Sequence, residues 1–127
     1  MLGYEELYIY GDKEKLDRFQ KDIQRFVNDP WKLIVEKAVM LKDYLLFEYT
    51  GSMVDAAEVA INYGSDARTP DSIHINTIVP LKKSEFTMIE YNAVLDKFFK
   101  DIIKPYSKCH SDIVIEESAQ YRNVYLN

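Results

Sequence analysis

Residues 72–79 read Ser72-Ile73-His74-Ile75-Asn76-Thr77-Ile78-Val79. Ile73, Ile75, Thr77 and Val79 alternate with His74, Asn76 and Ile78. A period of two belongs to a β-strand whose successive side chains point to opposite faces. Upstream, Leu45, Phe47 and Tyr49 alternate with Tyr44, Leu46 and Glu48, which predicts a strand over 44–50 closed by Gly51. At the start of the chain, Leu7 and Ile9 alternate with Tyr8 and Tyr10 before Gly11-Asp12 breaks the run and opens a helix. Near the end, Ile113 and Ile115 share one face of a strand over 112–116.

Two stretches carry the helical period. Leu16, Phe19, Ile23, Phe26 and Val27 mark one apolar stripe, with Glu14–Arg18 and Asp17–Lys21 as i,i+4 pairs on the wet side, and Asn28-Asp29-Pro30 ends it. The second helix begins at a capping box, Thr87 with Glu90, beside a hydrophobic staple of Phe86 and Tyr91. Leu95, Phe98, Ile102 and Tyr106 form its buried stripe, and Pro105 is expected to stop it. Two segments fit either period. Residues 31–41 suit a helix through Trp31, Ile34, Val35, Ala38 and Leu41, or a strand, which their brevity favours. Residues 53–63 suit a helix through Ala56, Ala57 and Ala60, or a strand through Val59, Ile61 and Tyr63 that forms a hairpin with 72–79; the hairpin is preferred.

The order is β-α-β-β-β-β-α-β, an α+β fold with an antiparallel sheet of about five or six strands and both helices on one face. A single domain over 1–117 and a polar tail over 118–127 are expected. Turning Leu7, Ile9, Leu45, Phe47, Ile73 and Ile75 toward the helices turns Tyr8, Tyr10, Tyr44, Glu48, Glu58, His74 and Asn76 away from them. The apolar stripes of two helices cover one face of such a sheet and leave the other to solvent, a ligand or another chain.

A resemblance covers about a third of the chain. Ile78-Val79-Pro80-Leu81-Lys82-Lys83-Ser84-Glu85 followed by Glu90-Tyr91-Asn92-Ala93-Val94-Leu95-Asp96-Lys97-Phe98 resembles a segment of small uncharacterised bacterial α+β proteins, and Tyr8-Ile9-Tyr10-Gly11-Asp12-Lys13 is similar to their opening. The resemblance implies a bacterial α+β domain and brings no activity with it.

Composition narrows the classes of function. With 127 residues, 47% hydrophobic and 29% charged, the chain can bury a core and is not a disordered or low-complexity sequence. The net charge is −5, and residues 43–72 hold six acids, Asp43, Glu48, Asp55, Glu58, Asp66 and Asp71, against Arg68. That balance repels nucleic acid and suits a basic protein partner. Cys109 is the one cysteine, so an intrachain disulfide and a multi-thiolate zinc site are excluded. Neither a membrane-length apolar run nor a secretory leader is present, so a cytoplasmic protein without membrane attachment is expected. The four glycines, Gly3, Gly11, Gly51 and Gly64, are isolated, which excludes glycine-rich phosphate loops.

The chemistry-bearing candidates are few. Cys109-His110 with Asp112 lies in a turn, where sequence neighbours rarely meet in catalytic geometry. Lys97, Lys100, Lys104 and Lys108 follow one helix face and read as a solvated surface diluted by Asp96 and Asp101. No cofactor or metal is expected. Ten tyrosines are many for this length, and tyrosine suits interfaces because it combines apolar area with a polar tip. The leading expectation is therefore a non-catalytic binding module for a protein partner, basic or a second copy of the chain. Its contact residues would be Tyr8, Tyr10, Tyr44, Glu48, His74 and Asn76. The alternative is a small enzyme in which His74 works as acid or base beside Glu48 or Glu58.

Overall fold

The computed structural model describes residues 3–34, 44–63 and 71–127. The fold is α+β, as expected, and the described residues form eight strands in two four-stranded sheets. Sheet A contains β1 (Glu6–Tyr10), β5 (Ser72–His74), β7 (Ile113–Glu117) and β8 (Tyr121–Leu126), in the order β5-β1-β8-β7. Sheet B contains β2 (Trp31–Leu33), β3 (Tyr44–Tyr49), β4 (Ala57–Asn62) and β6 (Thr77–Pro80), in the order β2-β3-β4-β6.

The run 72–79 is the join between them, and it is two strands, not one. β5 pairs with β1, placing His74 opposite Tyr8, whereas β6 pairs with β4, placing Val59 opposite Ile78. Ile73 and Ile75 are buried, and the next buried residue is Ile78, while Val79 is exposed. The inward phase thus slips by one residue at Asn76-Thr77. The expected hairpin between 53–63 and 72–79 exists only in its second half. Residues 31–41 are a strand over Trp31–Leu33, and 35–43 lie outside the described residues.

The segment 118–127 is not a tail. β8 lies between β1, its parallel neighbour, and β7, its antiparallel one. It places Val124 and Leu126 in the core. One parallel pair therefore interrupts the antiparallel sheet that was expected. The alternation Arg122, Val124, Leu126 against Tyr121, Asn123, Tyr125 is a strand period, disguised by an arginine at an inward position.

Both sheets contribute to one core, with Leu7, Ile9, Ile73, Ile75 and Val124 from sheet A and Trp31, Phe47, Val59, Ile61 and Ile78 from sheet B. Helix α1 (Lys13–Asp22), continued by a 3-10 turn over Ile23–Phe26, adds Leu16, Phe19 and Ile23. Asp12 caps it by accepting the Lys15 N–H at 2.9 Å. Helix α2 (Met88–Phe98) starts at the expected capping box, Thr87 Oγ1 accepting from the Glu90 N–H and Glu90 accepting from the Thr87 N–H. Pro105 does not stop this rod. A π-helical turn over Phe99–Ile103, in which the Lys104 N–H reaches back to the Phe99 carbonyl, loosens the coil ahead of the proline, and helix α3 (Lys104–Lys108) continues it. Val94, Leu95, Phe98, Phe99, Ile102, Ile103 and Tyr106 are all buried, a stripe wider than the sequence suggested because the rod packs against β4, β6 and β7 at once.

Arg122 ties these parts together. It is 8% exposed, and its Nη2 reaches Asp96 of α2 at 2.6 Å and Glu5 at 3.3 Å, with the guanidinium over the Phe99 ring. Asn92 adds a second clamp on the same entering segment, accepting the Glu5 N–H and donating to the Gly3 carbonyl. Deleting 119–127 removes the central strand between β1 and β7. The cooperative urea transition followed by circular dichroism should then disappear. Arg122→Ala, which strands Glu5 and part of the Asp96 charge, should keep the transition and lower stability by about 3 kcal/mol. A truncated chain that still unfolds cooperatively would contradict the central role of β8.

Candidate functional site: the aromatic face of sheet A

Strand parity decides what the outer face of sheet A displays. The inward row of β1 is Leu7 and Ile9, both fully buried, so Glu6, Tyr8 and Tyr10 face out. The register then aligns Ser72, Tyr10, Tyr125 and Val114 in one cross-strand row, and His74, Tyr8, Asn123 and Glu116 in the next. Tyr121 lies opposite Glu6.

Four of these rings form a continuous ladder. The His74 and Tyr8 rings are 4.2 Å apart and 9° from parallel, Tyr8 and Tyr10 are 5.9 Å apart, and Tyr10 and Tyr125 are 5.2 Å apart. Every ring in the ladder is half-buried, although none of the described helices covers it. The rings shield one another. Val114, at 53%, and Tyr121, at 37%, extend the apolar surface to the β7 side. Because the rings are turned toward each other, they present edges and polar tips, a poor platform for intercalating bases and a good one for a protein surface.

The charge on this face has one sign. Among the described residues, its outward positions hold two carboxylates, Glu6 and Glu116, and no lysine or arginine. Glu116 accepts a hydrogen bond from Asn123 at 3.3 Å. Burial raises the Tyr8 phenol above its usual range, with Glu6 adding to the effect. Burial, Tyr125, Tyr8, Glu6 and Glu116 raise Tyr10 in that order. Burial lowers the His74 imidazole, and Glu6 opposes that lowering.

The expected site residues do not all meet. Tyr8, Tyr10 and His74 share the ladder. Tyr44 is in sheet B, where its hydroxyl accepts from Asn62 Nδ2 at 3.0 Å. Glu48 and Glu58 are also in sheet B, directly opposite one another on β3 and β4, with Lys32 beside Glu48. Asn76 sits at the join, its carbonyl accepting the Tyr91 hydroxyl. Sheet B is partly covered on its outer side too: Leu46, at 2%, and Ala60 are buried there although neither belongs to the core cluster, while Lys32, Thr77 and Val79 on the same side are exposed. The acid–base arrangement of His74 with Glu48 or Glu58 is therefore not assembled. Among the described residues, His74 makes no hydrogen bond to a carboxylate. Tyr125, Tyr121, Asn123, Glu6, Glu116 and Val114 complete the face, and all but Glu6, Val114 and Glu116 come from the segment first read as a tail.

The other candidates take structural roles. Lys97, Lys100 and Lys104 are ion-paired with Asp101, Asp96 and Glu117. His110 Nδ1 donates to the Tyr106 carbonyl at 2.9 Å, and Cys109 is exposed beside it. No group of metal-ligating side chains is present among the described residues, and none of their helices is long and apolar enough to cross a membrane. An open depression of about 440 Å³ lies at the other sheet, walled by Glu48, Ser52, Asp55 and Lys82, and it brings together no acid–base pair of the kind expected for His74.

Comparison of the chain with family models, curated proteins and solved structures finds no match.

The lowered His74 pKa has a definite consequence for stability. Above the ordinary imidazole value of 6.5, both folded and unfolded His74 are neutral. As pH falls through the window below 6.5, the unfolded chain takes up the proton first, so the folded state loses stability. His74→Phe keeps a ring on Tyr8 and removes the titration. Urea midpoints between about pH 7.5 and pH 5 should fall more for wild type than for the variant. Parallel midpoint curves would show that His74 is not shielded in the ladder.

Proposed function

We propose that the protein is a non-catalytic interaction module that binds a basic protein partner through the outer face of sheet A. The observation that carries this reading is the ladder His74–Tyr8–Tyr10–Tyr125, a half-buried aromatic surface whose outward positions, among the described residues, hold Glu6 and Glu116 and no cation. Aromatic side chains dominate binding energy where they are desolvated by a partner, and carboxylates beside them select lysine and arginine. A second copy of the chain is the weaker occupant. It would bring its own Glu6 and Glu116 against the same acidic face, in a protein whose net charge is −5.

Tyr8→Ala combined with Tyr125→Ala tests this. The rings lie outside the core, so the double variant should remain folded, with a loss of about 1–3 kcal/mol from the broken ring pairs. Quantitative mass spectrometry of proteins copurifying with the untagged chain should show a basic protein retained by wild type and reduced about tenfold or more with the variant. Light scattering should show a monomer across concentration. A dimer abolished by the same double substitution would replace the basic partner with self-association. Outright unfolding of the variant would place the rings in the core and overturn the reading.

A further inference from the structure

Strand β7 is the edge of sheet A on the side where the aromatic face is most exposed. Its hydrogen-bond phase follows from the hairpin that joins it to β8. The Ser118 N–H donates to the Tyr121 carbonyl at 2.8 Å, so Ser118, Glu116 and Val114 turn their backbone groups toward β8. Ile113, Ile115 and Glu117 therefore turn theirs to the open side. The Ile113 N–H is taken by the His110 carbonyl. The Ile113 carbonyl and both backbone groups of Ile115 and Glu117 meet no partner among the described residues.

Natural edge strands are blocked by proline, by lysine, by bulges or by a covering element. Ile113-Val114-Ile115-Glu116-Glu117 contains neither proline nor lysine, and its first three residues are β-branched. Its protection is acidic, Glu116 and Glu117, and Glu117 is already matched by Lys104 at 3.3 Å. That leaves Glu116 as the charge an incoming strand meets on the aromatic side, next to Val114 at 53% exposure.

Resting on the proposed function above, we infer that the basic partner binds by adding an extended segment to the free edge of β7, continuing sheet A. The backbone of that segment takes up the free groups of Ile115 and Glu117. One of its outward side chains, apolar, lies against Val114 at the end of the Tyr10–Tyr125 row. The outward side chain two residues away, a lysine or arginine, lies opposite Glu116 at the end of the Tyr8–Asn123 row. Charge complementarity selects this occupant. A second copy would bring another Glu116 and Glu117 to an edge that already carries two carboxylates.

The probe is a fluorescein-labelled ten-residue peptide repeating valine-threonine-lysine-threonine, which puts valine and lysine alternately on one face, with the same peptide carrying glutamate for lysine as control, titrated into the full chain by fluorescence anisotropy. Ile115→Pro removes an outward N–H and breaks no β7–β8 bond. Glu117→Pro does the same at an exposed position, should Ile115→Pro fail to fold. The lysine peptide should bind and the glutamate peptide should not. Either proline variant should weaken binding tenfold or more, Glu116→Gln should weaken it severalfold, and the peptide should slow amide exchange at Ile115 and Glu117. Proline variants that bind as wild type does, while Tyr8→Ala with Tyr125→Ala does not, would overturn strand addition and leave the aromatic face as the site. Failure of wild type to bind the lysine peptide at millimolar concentration, or equal binding of both peptides, would overturn the inference along with its basic partner.

Discussion

A β-strand has two hydrogen-bonding edges and two faces, and the chain from Ser72 to Pro80 uses them in two different places. Its first half bonds to β1 in sheet A, and its second half bonds to β4 in sheet B. The inward residues change from Ile73 and Ile75 to Ile78, a phase slip of one. Without that slip, the apolar side of the second half would point away from the core that the first half faces. With it, both sheets contribute to a single core, and the helical rod can pack against strands from each.

The two sheets then have different fates. Sheet B buries residues on both faces, with Leu46, Ala60 and Glu58 on the side away from the core cluster. Sheet A buries only its inner face. Its outer residues achieve partial shielding by lying on one another, and the geometry that does so, rings nearly parallel across strands β5, β1 and β8, requires the parallel pairing of β1 with β8. The last strand thus supplies Val124 and Leu126 to the core and Tyr121, Asn123 and Tyr125 to the surface. One element serves both stability and the proposed interaction.

The inner side of β8 also shows why a charge can occupy a core position. Arg122 is buried with its Nε and Nη1 unpartnered, and its Nη2 carries both ion pairs. Such an arrangement contributes less stability than a hydrophobic residue of similar volume would. Its geometry nevertheless joins the entry of β1, the last turn of α2 and the start of β8 at one point. The Pro105 site illustrates the same precedence of tertiary over local preference. The π-turn before it is a local irregularity that keeps Ile102, Ile103 and Tyr106 on the buried side of the rod.

By itself, the sequence determined the local elements whose signals are complete within a few residues. The Thr87–Glu90 capping box, the Asp12 helix start, the alternation of Leu7 and Ile9 with Tyr8 and Tyr10, and the strand at 44–49 all stand where their patterns put them. These depend on hydrogen bonds and periods that act over one or two turns. The phase slip is present in the sequence too, as a step of three residues from Ile75 to Ile78 where a strand period gives two, but a period alone does not say whether a strand has bent or merely carries an apolar surface residue. What only the tertiary structure decided was pairing. Period two fixes which residues share a face of one strand and nothing about which strand lies beside it. So Tyr8 and His74 met as parity required, Tyr44, Glu48 and Glu58 went to another sheet, and a terminal strand marked by an inward arginine became the neighbour that completed the aromatic face. Arg122 is legible as core only once Asp96 and Glu5 are in place to neutralise it, and those partners lie far away in sequence.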